Sequence, residues 1–394
     1  MRNYAKVILK SGKDQSVRRY HPWIFSGAIK KIIGEVKEGD VVHVYDNKDE
    51  FLGMGHYQPG SIMVRILSFT QKEPDDQFWF NKLKQAWELR RSLGLISDTN
   101  NTYRLVHAEG DGLSGLIIDM YNGIAVMQSH SLGMWLIREK LAAMLKELMG
   151  DNLKAVYDKS ENTLPFMAGA DPNNSFLLGD SEEDIALEYG LKFKVDWLKG
   201  QKTGFFVDQR ENRKLLENYS KGRDVLNMFC YTGGFSFYAM RGGAGLVHSV
   251  DSSARAIDLT KENVELNFPN DPRHDAFAVD AFKYLEDIKD KYDLIVLDPP
   301  AFAKHKNVLH NALQGYKKLN AKAFEQIRKG GIIFTFSCSQ VVTRDMFRKT
   351  VFTAAAQSGR FVRILHQLEQ PADHPVNIYH PESEYLKGLV LYVE

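Results

Sequence analysis

The 394-residue chain is expected to be a multidomain α/β protein, with a small N-terminal β-barrel, a central α+β module and a C-terminal doubly wound parallel sheet. Three observations predict it. The length exceeds what one hydrophobic core ordinarily serves, so two or three domains are expected. Residues up to about 70 break into short apolar runs separated by glycine turns, the pattern of a small barrel. From about Gly200 onward, near-continuous apolar strands alternate with helical segments, as in a sheet buried on both faces. The expected borders are 1–70, 71–198 and 199–394.

In the first region the strand patterns are Ala5 to Leu9, Asp40 to Asp46 and Ile62 to Leu67, with glycines at 27, 34, 39, 53, 55 and 60 between or inside them. The second opens on the helix-start signal Pro74-Asp75-Asp76, followed by apolar Phe80, Leu83 and Trp87. A hairpin-like stretch from Leu105 to Asp119 turns at Glu109-Gly110-Asp111-Gly112. Then come a strand at Ile124 to Gln128, a helix from about Met134 to Leu148, a strand at Leu153 to Tyr157 and a hairpin from Ile185 to Val195. In the third region, strands are expected at Asp224 to Phe229, Leu246 to Val250, Asp275 to Val279, Leu294 to Leu297 and Ile332 to Phe336. Helices are expected between them, the last from about Gln314 to Arg328.

A composition of 44% hydrophobic and 26% charged residues is that of a globular protein, and no apolar run reaches membrane-helix length. The start, Met1 to Val7, lacks a signal-peptide core, so a cytoplasmic location is expected. Cys230 and Cys338 are the two cysteines, neither in metal-like spacing, so neither a metal site nor a disulfide is expected. The net charge of +1 is unevenly spread: residues 1–70 carry +4 and the remainder −3. A basic end can attract a polyanion, although such asymmetry also arises by chance.

In doubly wound sheets, ligands bind beyond the carboxyl ends of the strands, where the strand order reverses. The first strand of the third region runs into Phe229-Cys230-Tyr231-Thr232-Gly233-Gly234. There the glycines permit close backbone approach and the next helix offers unpaired N–H groups. Asp251 ends the following strand, eighteen residues after Gly233, at the spacing of an acid that accepts from ribose hydroxyls, and Asp280 ends the third. The glycine turn alone is a weak signal, since such turns are often structural. Three successive strand ends of this kind point to a nucleoside-type cofactor. S-adenosylmethionine suits them better than NAD, because there is no full pyrophosphate-binding fingerprint.

The reacting half is read from two further strand ends. Asp298-Pro299-Pro300-Ala301 leaves the fourth strand as a rigid wall without N–H donors at the prolines, though it is also one way to stop a strand. Forty residues later, Ser337-Cys338-Ser339 ends the fifth. Most strand cysteines are small buried hydrophobes. A thiol at a strand exit beside an acid has another use, because cytosine C5 attacks a methyl sulfonium only after a thiolate has added to C6. Cys338 is the candidate nucleophile, and Asp298 is both the acid that favours the adduct at N3 and a further candidate contact of the cofactor. Cys230, inside the cofactor turn, is expected to pack.

Together these residues resemble the bacterial 23S ribosomal RNA large-subunit 5-methylcytosine methyltransferases. The resemblance spans essentially the whole chain. It also rests on Arg19-Tyr20-His21-Pro22-Trp23-Ile24-Phe25-Ser26-Gly27, on Glu109 to Leu116, on Gly200 to Arg210 and on Asp373-His374-Pro375. It implies a PUA-like RNA-binding barrel, a central α+β domain and a Rossmann-like class I methyltransferase domain in which the fourth and fifth strands adjoin. It further implies that Lys202 to Arg210, with Arg210 among the cofactor contacts, helps enclose S-adenosylmethionine. Read from residues alone, this segment is a loop capped by Asp208 before a helix. One departure matters: the second cysteine that many RNA cytosine-C5 methyltransferases carry beside Asp-Pro-Pro is replaced here by Ala301 and Phe302, so product release needs another base.

The implied partner is large-subunit ribosomal RNA, with no membrane and with a homodimer left open. Arg18, Arg19 and Lys304 are candidate RNA contacts, although a solvated charge run is the commoner meaning of Lys304-His305-Lys306. Trp23 and Phe25 alternate like a buried strand face, and core packing is the expected role of both. A target cytosine inside a duplex would be out of reach of Cys338, so a flipped or unpaired nucleotide is expected. Two other readings stand beside this one: methylation of a purine nitrogen, and a non-catalytic RNA-binding assembly factor.

Overall fold

The computed structural model describes residues 4–164, 172–181, 184–303 and 305–394. The chain forms two compact units. One comprises Met1–Gly190, Val195–Phe205 and Ala372–Ser383; the other comprises Leu191–Lys194, Phe206–Pro371 and Glu384–Glu394.

The first unit contains a six-stranded sheet and a five-stranded sheet. In the six-stranded one the order is Trp23–Phe25, Ile62–Ser68, Phe51–Tyr57, Val41–Tyr45, Ala5–Leu9, Ile29–Ile33. Val7, Leu9, Ile24, Val42, Val44, Val64 and Ile66 form its core. The expected inward pair on the first of these strands is corrected: Ile24 is the buried residue, while Phe25 is 47% exposed and Trp23 half-buried. Alternate strand residues share a face, so with Ile24 inside its neighbours must point the other way. Trp23 has an N–H to satisfy, and it donates to Glu109 Oε1 at 2.8 Å.

The five-stranded sheet runs Ser175–Leu178, Ala155–Asp158, Ile124–Ser129, Leu116–Tyr121, Thr102–His107. Helix Asp76–Ser92 starts as its sequence signal predicts, with the Asp75 carboxylate accepting from Phe78 N–H at 2.9 Å. The helix expected from Met134 to Leu148 is two, Leu132–Leu136 and Arg138–Met149, because Ile137 tightens the turn by donating to Met134 O. Two motifs far apart in sequence meet in this unit. A Cβ on Gly110 would lie 2.0 Å from Pro375 O, so only glycine allows the Asp373-His374-Pro375 tail to seat there. Fully buried Arg90 clamps both, donating to both Asp111 oxygens at 2.5 and 2.8 Å and to Asp373 O at 2.7 Å.

His56 lies buried in the same unit, parallel to the Trp79 ring at 5.8 Å, and a Cβ on Gly133 would strike its imidazole. Burial, aided by Arg65, pushes its pKa down to about 4, and burial does the same to His130 and His274. The unfolded imidazole titrates near 6.5, so between that value and about 4 the unfolded chain binds protons that the folded chain refuses. Stability is therefore complete above about pH 6.5 and is lost as pH falls, on the order of 2 kcal/mol from His56 by about pH 5. Thermal unfolding followed by circular dichroism should show a lower Tm at pH 5 than at pH 7, and His56→Gln should flatten that dependence.

The second unit is built on a seven-stranded sheet whose strands are Asp224–Met228 (β1), Leu246–Asp251 (β2), His274–Ala278 (β3), Leu294–Leu297 (β4), Gly331–Ser337 (β5), Val362–Glu369 (β6) and Lys387–Val393 (β7). Their order is β3-β2-β1-β4-β5-β7-β6, parallel except for β7, which is antiparallel to both neighbours. Strand order reverses between β1 and β4, and this reversal places the ligand crevice beyond those two strands. Helices Arg210–Tyr219, Gly234–Arg241, Ala254–Asn267, Leu309–Gln326 and Arg344–Ser358 accompany the sheet. Among the described residues, no helix is long and apolar enough to cross a membrane.

Candidate active site

The chain leaves β1 through a strained turn. Phe229, Tyr231 and Gly233 have φ of 58°, 49° and 87°, the left-handed region that non-glycine residues rarely adopt. The surroundings hold it there. Asp251, at the end of β2, accepts from Tyr231 N–H at 3.0 Å and from Ser253 N–H at 2.9 Å. Thr260 Oγ1 donates to Tyr231 O at 3.0 Å and Asn263 Nδ2 to Thr232 O at 3.3 Å. A Cβ on Gly233 would fall 2.7 Å from both Phe237 Cζ and Thr260 Cγ2, and one on Gly234 would fall 3.0 Å from Arg213 Cδ. Gly233 is therefore required by close packing as well as by backbone conformation, whereas Gly234 only packs closely against the Arg213 side chain.

Asp251 remains half-buried, and each of its oxygens keeps a second acceptor site after serving the turn. Asp280 is exposed just beyond β3 and caps a helix by accepting from Lys283 N–H at 3.0 Å. The turn, Asp251 and Asp280 line the ends of β1, β2 and β3, and these acceptors suit the hydroxyls of a nucleoside. Cys230 belongs to packing: it is buried, and its thiol is pushed well above the ordinary range by burial and then by Asp251.

At the other side of the reversal lie Asp298 and Cys338. The β4–β5 register pairs Leu297 with Thr335, so Asp298 leaves β4 at the same end of the sheet as Cys338 leaves β5. Both are half-buried. Buried Ser339 stitches the two exit loops together, its Oγ accepting from Ala303 N–H at 3.3 Å and lying 2.9 Å from the Tyr316 hydroxyl. Tyr316 in turn packs on Phe302, with ring centroids 4.6 Å apart. Phe302, which with Ala301 stands in place of a second cysteine, thus braces the proline wall.

The remaining expected residues fall elsewhere. Arg210 begins its helix fully buried, with Nε 3.1 Å from Glu211 Oε1. Asp208 is not the expected helix cap. It sits in a short 3₁₀ turn, Val207–Gln209, and accepts from the Tyr385 hydroxyl at 2.7 Å, because the helix proper starts two residues later. Phe206 lies edge-on to Tyr231 of the turn after β1, with centroids 5.0 Å apart. Arg18 and Arg19 belong to the first unit. Arg18 is shared among Asp14, Asp46 and Glu50 at 2.6 to 2.8 Å, whereas Arg19 is exposed and pairs with no carboxylate among the described residues. Lys304 lies outside the described residues.

Two residues beside the exits of β4 and β5 were not anticipated, Tyr316 and Lys387, and Ser339 was named only as part of the motif around Cys338. Only Lys387 carried a signal, as one charged residue opening the apolar strand Lys387–Val393.

A family model described as S-adenosylmethionine-dependent methyltransferase matches residues 142–389, and a PUA-like domain model matches residues 7–69. Together with the strand order and the acceptors around the β1 turn, this makes the chain an S-adenosylmethionine-dependent methyltransferase. Two curated proteins named Ribosomal RNA large subunit methyltransferase I are similar along its whole length. The one from Alteromonas mediterranea is 39% identical and the one from Pseudoalteromonas atlantica 40%, each alignment covering 98% of both chains. The chain belongs to that family. Among solved structures, a protein from Streptococcus mutans assigned as a SAM-dependent methyltransferase shares the fold, with a TM-score of 0.84 at 24% identity over 98% of this chain and 100% of that one. A methyltransferase-like structure complexed with SAH gives 0.85 at 25% identity over the same shares.

Proposed function

We propose that the protein methylates C5 of a cytosine in large-subunit (23S) ribosomal RNA through a covalent adduct with Cys338. The observation that carries this reading is the convergence of Asp298 and Cys338 at adjacent carboxyl ends of β4 and β5, with their exit loops joined at Ser339. The RNA class follows the name borne by the curated relatives.

S-adenosylmethionine, when bound, supplies an electrophilic methyl group. Asp251 and Asp280 would hold its ribose hydroxyls, the turn from Phe229 to Gly234 would face it with backbone, and Arg210 would support the segment that encloses it. Cys338 adds as thiolate to cytosine C6, forming the S–C6 bond, while the ring electrons move towards C5 and Asp298 favours the charge that develops at N3 by donating a proton there. C5, made nucleophilic in this way, would take the methyl group that the bound cofactor supplies, its sulfonium leaving as the neutral thioether. A base removes the C5 proton; the C5–C6 double bond then re-forms as the S–C6 bond breaks to return the thiolate, and the N3 proton returns to the Asp298 carboxylate. Cys230, buried in the turn, takes no part.

The chain is read as three functional regions, a barrel of residues 1–70, a module of 71–198 and a catalytic domain of 199–394, acting in the cytoplasm. Arg19 is the better placed of the two barrel arginines for phosphate, since Arg18 is already neutralised by three carboxylates. Mass analysis of nucleosides from large-subunit rRNA tests the proposal. A strain lacking the protein should lose one 5-methylcytosine and regain it on complementation. Loss of a methylated purine instead would overturn the chemistry, and no change in any methylated nucleoside would overturn the substrate.

A further inference from the structure

We propose that Lys387 is a positioning residue for Cys338, its ammonium group clamping the loop that carries the thiol and holding the sulfur as a thiolate. This rests on the reading of Cys338 as nucleophile and adds the group that activates it.

The placement starts from the sheet. Lys387 opens β7 and pairs directly with Ser337, the last residue of β5 and the neighbour of Cys338. Its side chain is buried, and it runs alongside the exit loop to donate from Nζ to Ser339 O and to Val342 O, both at 2.7 Å. These two carbonyls lie just downstream of Cys338, so the ammonium group draws the loop around itself.

Burying an ammonium group costs several kcal/mol unless something compensates its charge. Two neutral carbonyls do so only partly, and Lys387 forms no ion pair among the described residues. The charged groups around it are few. Glu384 attracts it and Arg344 repels it, but these two pair with each other at 2.6 Å, and Arg344 also reaches Glu369 at 3.3 Å. The Tyr316 phenol, on the other side of Ser339, is held protonated by burial and brings no negative charge. Cys338 is the group whose ionisation most favours the lysine cation. The attraction is mutual, so the cation equally favours the thiolate. Burial lowers the ammonium pKa to about 8, which leaves it charged at neutral pH.

Lysine is also suited to the task by its chemistry. It is a compact point charge with three donors; two are taken by carbonyls and the third direction is left for an anion. A merely structural clamp would need the hydrogen bonds and not the charge, and the two roles can be separated experimentally.

The test is alkylation of the full-length protein with iodoacetamide between about pH 5.5 and 9.5, read at Cys338 by peptide mass spectrometry. Buried Cys230 reports folding in the same spectra, since it should react only in unfolded chains. The wild-type Cys338 midpoint should lie below the ordinary thiol value of about 8.5. Lys387→Met should raise that midpoint and slow alkylation at neutral pH by about tenfold, equivalent to one pKa unit, and Lys387→Arg should restore most of the rate. A wild-type midpoint at the ordinary value overturns the proposal, as does an unmoved midpoint in folded Lys387→Met. Should Lys387→Met fail to fold, exposing Cys230, the wild-type midpoint decides. Because the readout is alkylation, a failure of the cytosine-methylation reading shows separately, as methyl transfer that survives the loss of Cys338.

Discussion

Replacing Cys338 with serine is expected to abolish methyl transfer, by about 10⁴-fold or more, the scale on which covalent enzymes lose rate when their nucleophile is removed. On the proposed mechanism a hydroxyl at this position is a poor nucleophile at neutral pH, so C6 would not be attacked and C5 would stay unreactive. Cofactor binding should be unchanged, because Cys338 leaves β5 while the turn and the acidic acceptors lie at β1, β2 and β3. Transfer of labelled methyl to rRNA, together with calorimetric titration of S-adenosylmethionine, measures both halves. Wild-type transfer by Cys338→Ser would sink the covalent mechanism and leave the cofactor site intact. The corresponding Cys230 variant should retain chemistry, since that thiol is buried and pushed towards its neutral form.

The second large effect is expected at Gly233. Its φ of 87° strains any side chain by roughly 1–2 kcal/mol, and a Cβ would meet Phe237 and Thr260 at 2.7 Å, both fully buried and unable to retreat cheaply. Relief can come only from moving the turn, which carries Tyr231 N–H away from Asp251. Gly233→Val should therefore weaken S-adenosylmethionine binding by about 10- to 100-fold, as a cost of a few kcal/mol divided between stability and affinity implies. Calorimetry and thermal unfolding should both register it. An unchanged affinity would show that this turn does not shape the cofactor site.

Much of this architecture is legible locally. A strand buried on both faces must be apolar along its length, so Leu294 to Leu297 and Ile332 to Phe336 were recognisable without any partner in view. Ligand-facing residues of such sheets come at strand ends, which singled out Asp251, Asp280, Asp298 and Cys338. Local patterns failed where two orientations have the same period. Trp23, Ile24 and Phe25 are all apolar, and alternation alone cannot say which faces inward; the barrel core chose Ile24. Asp208 before a helix resembles a cap until Tyr385, 177 positions away, takes its carboxylate.

The sequence by itself determined the alternation of elements, the parallel sheet, the glycine turn and the placing of Asp251, Asp280, Asp298 and Cys338 at strand ends, because each depends on residues within a few positions of one another. Tertiary structure alone decided that β6 and β7 return to complete the sheet, that Arg18 is consumed by three carboxylates and that Pro375 closes over Gly110. It also decided that Lys387 lies along the loop of Cys338. Those contacts join residues tens to hundreds of positions apart, and their energy comes from burial and charge compensation, quantities that exist only once the chain has packed.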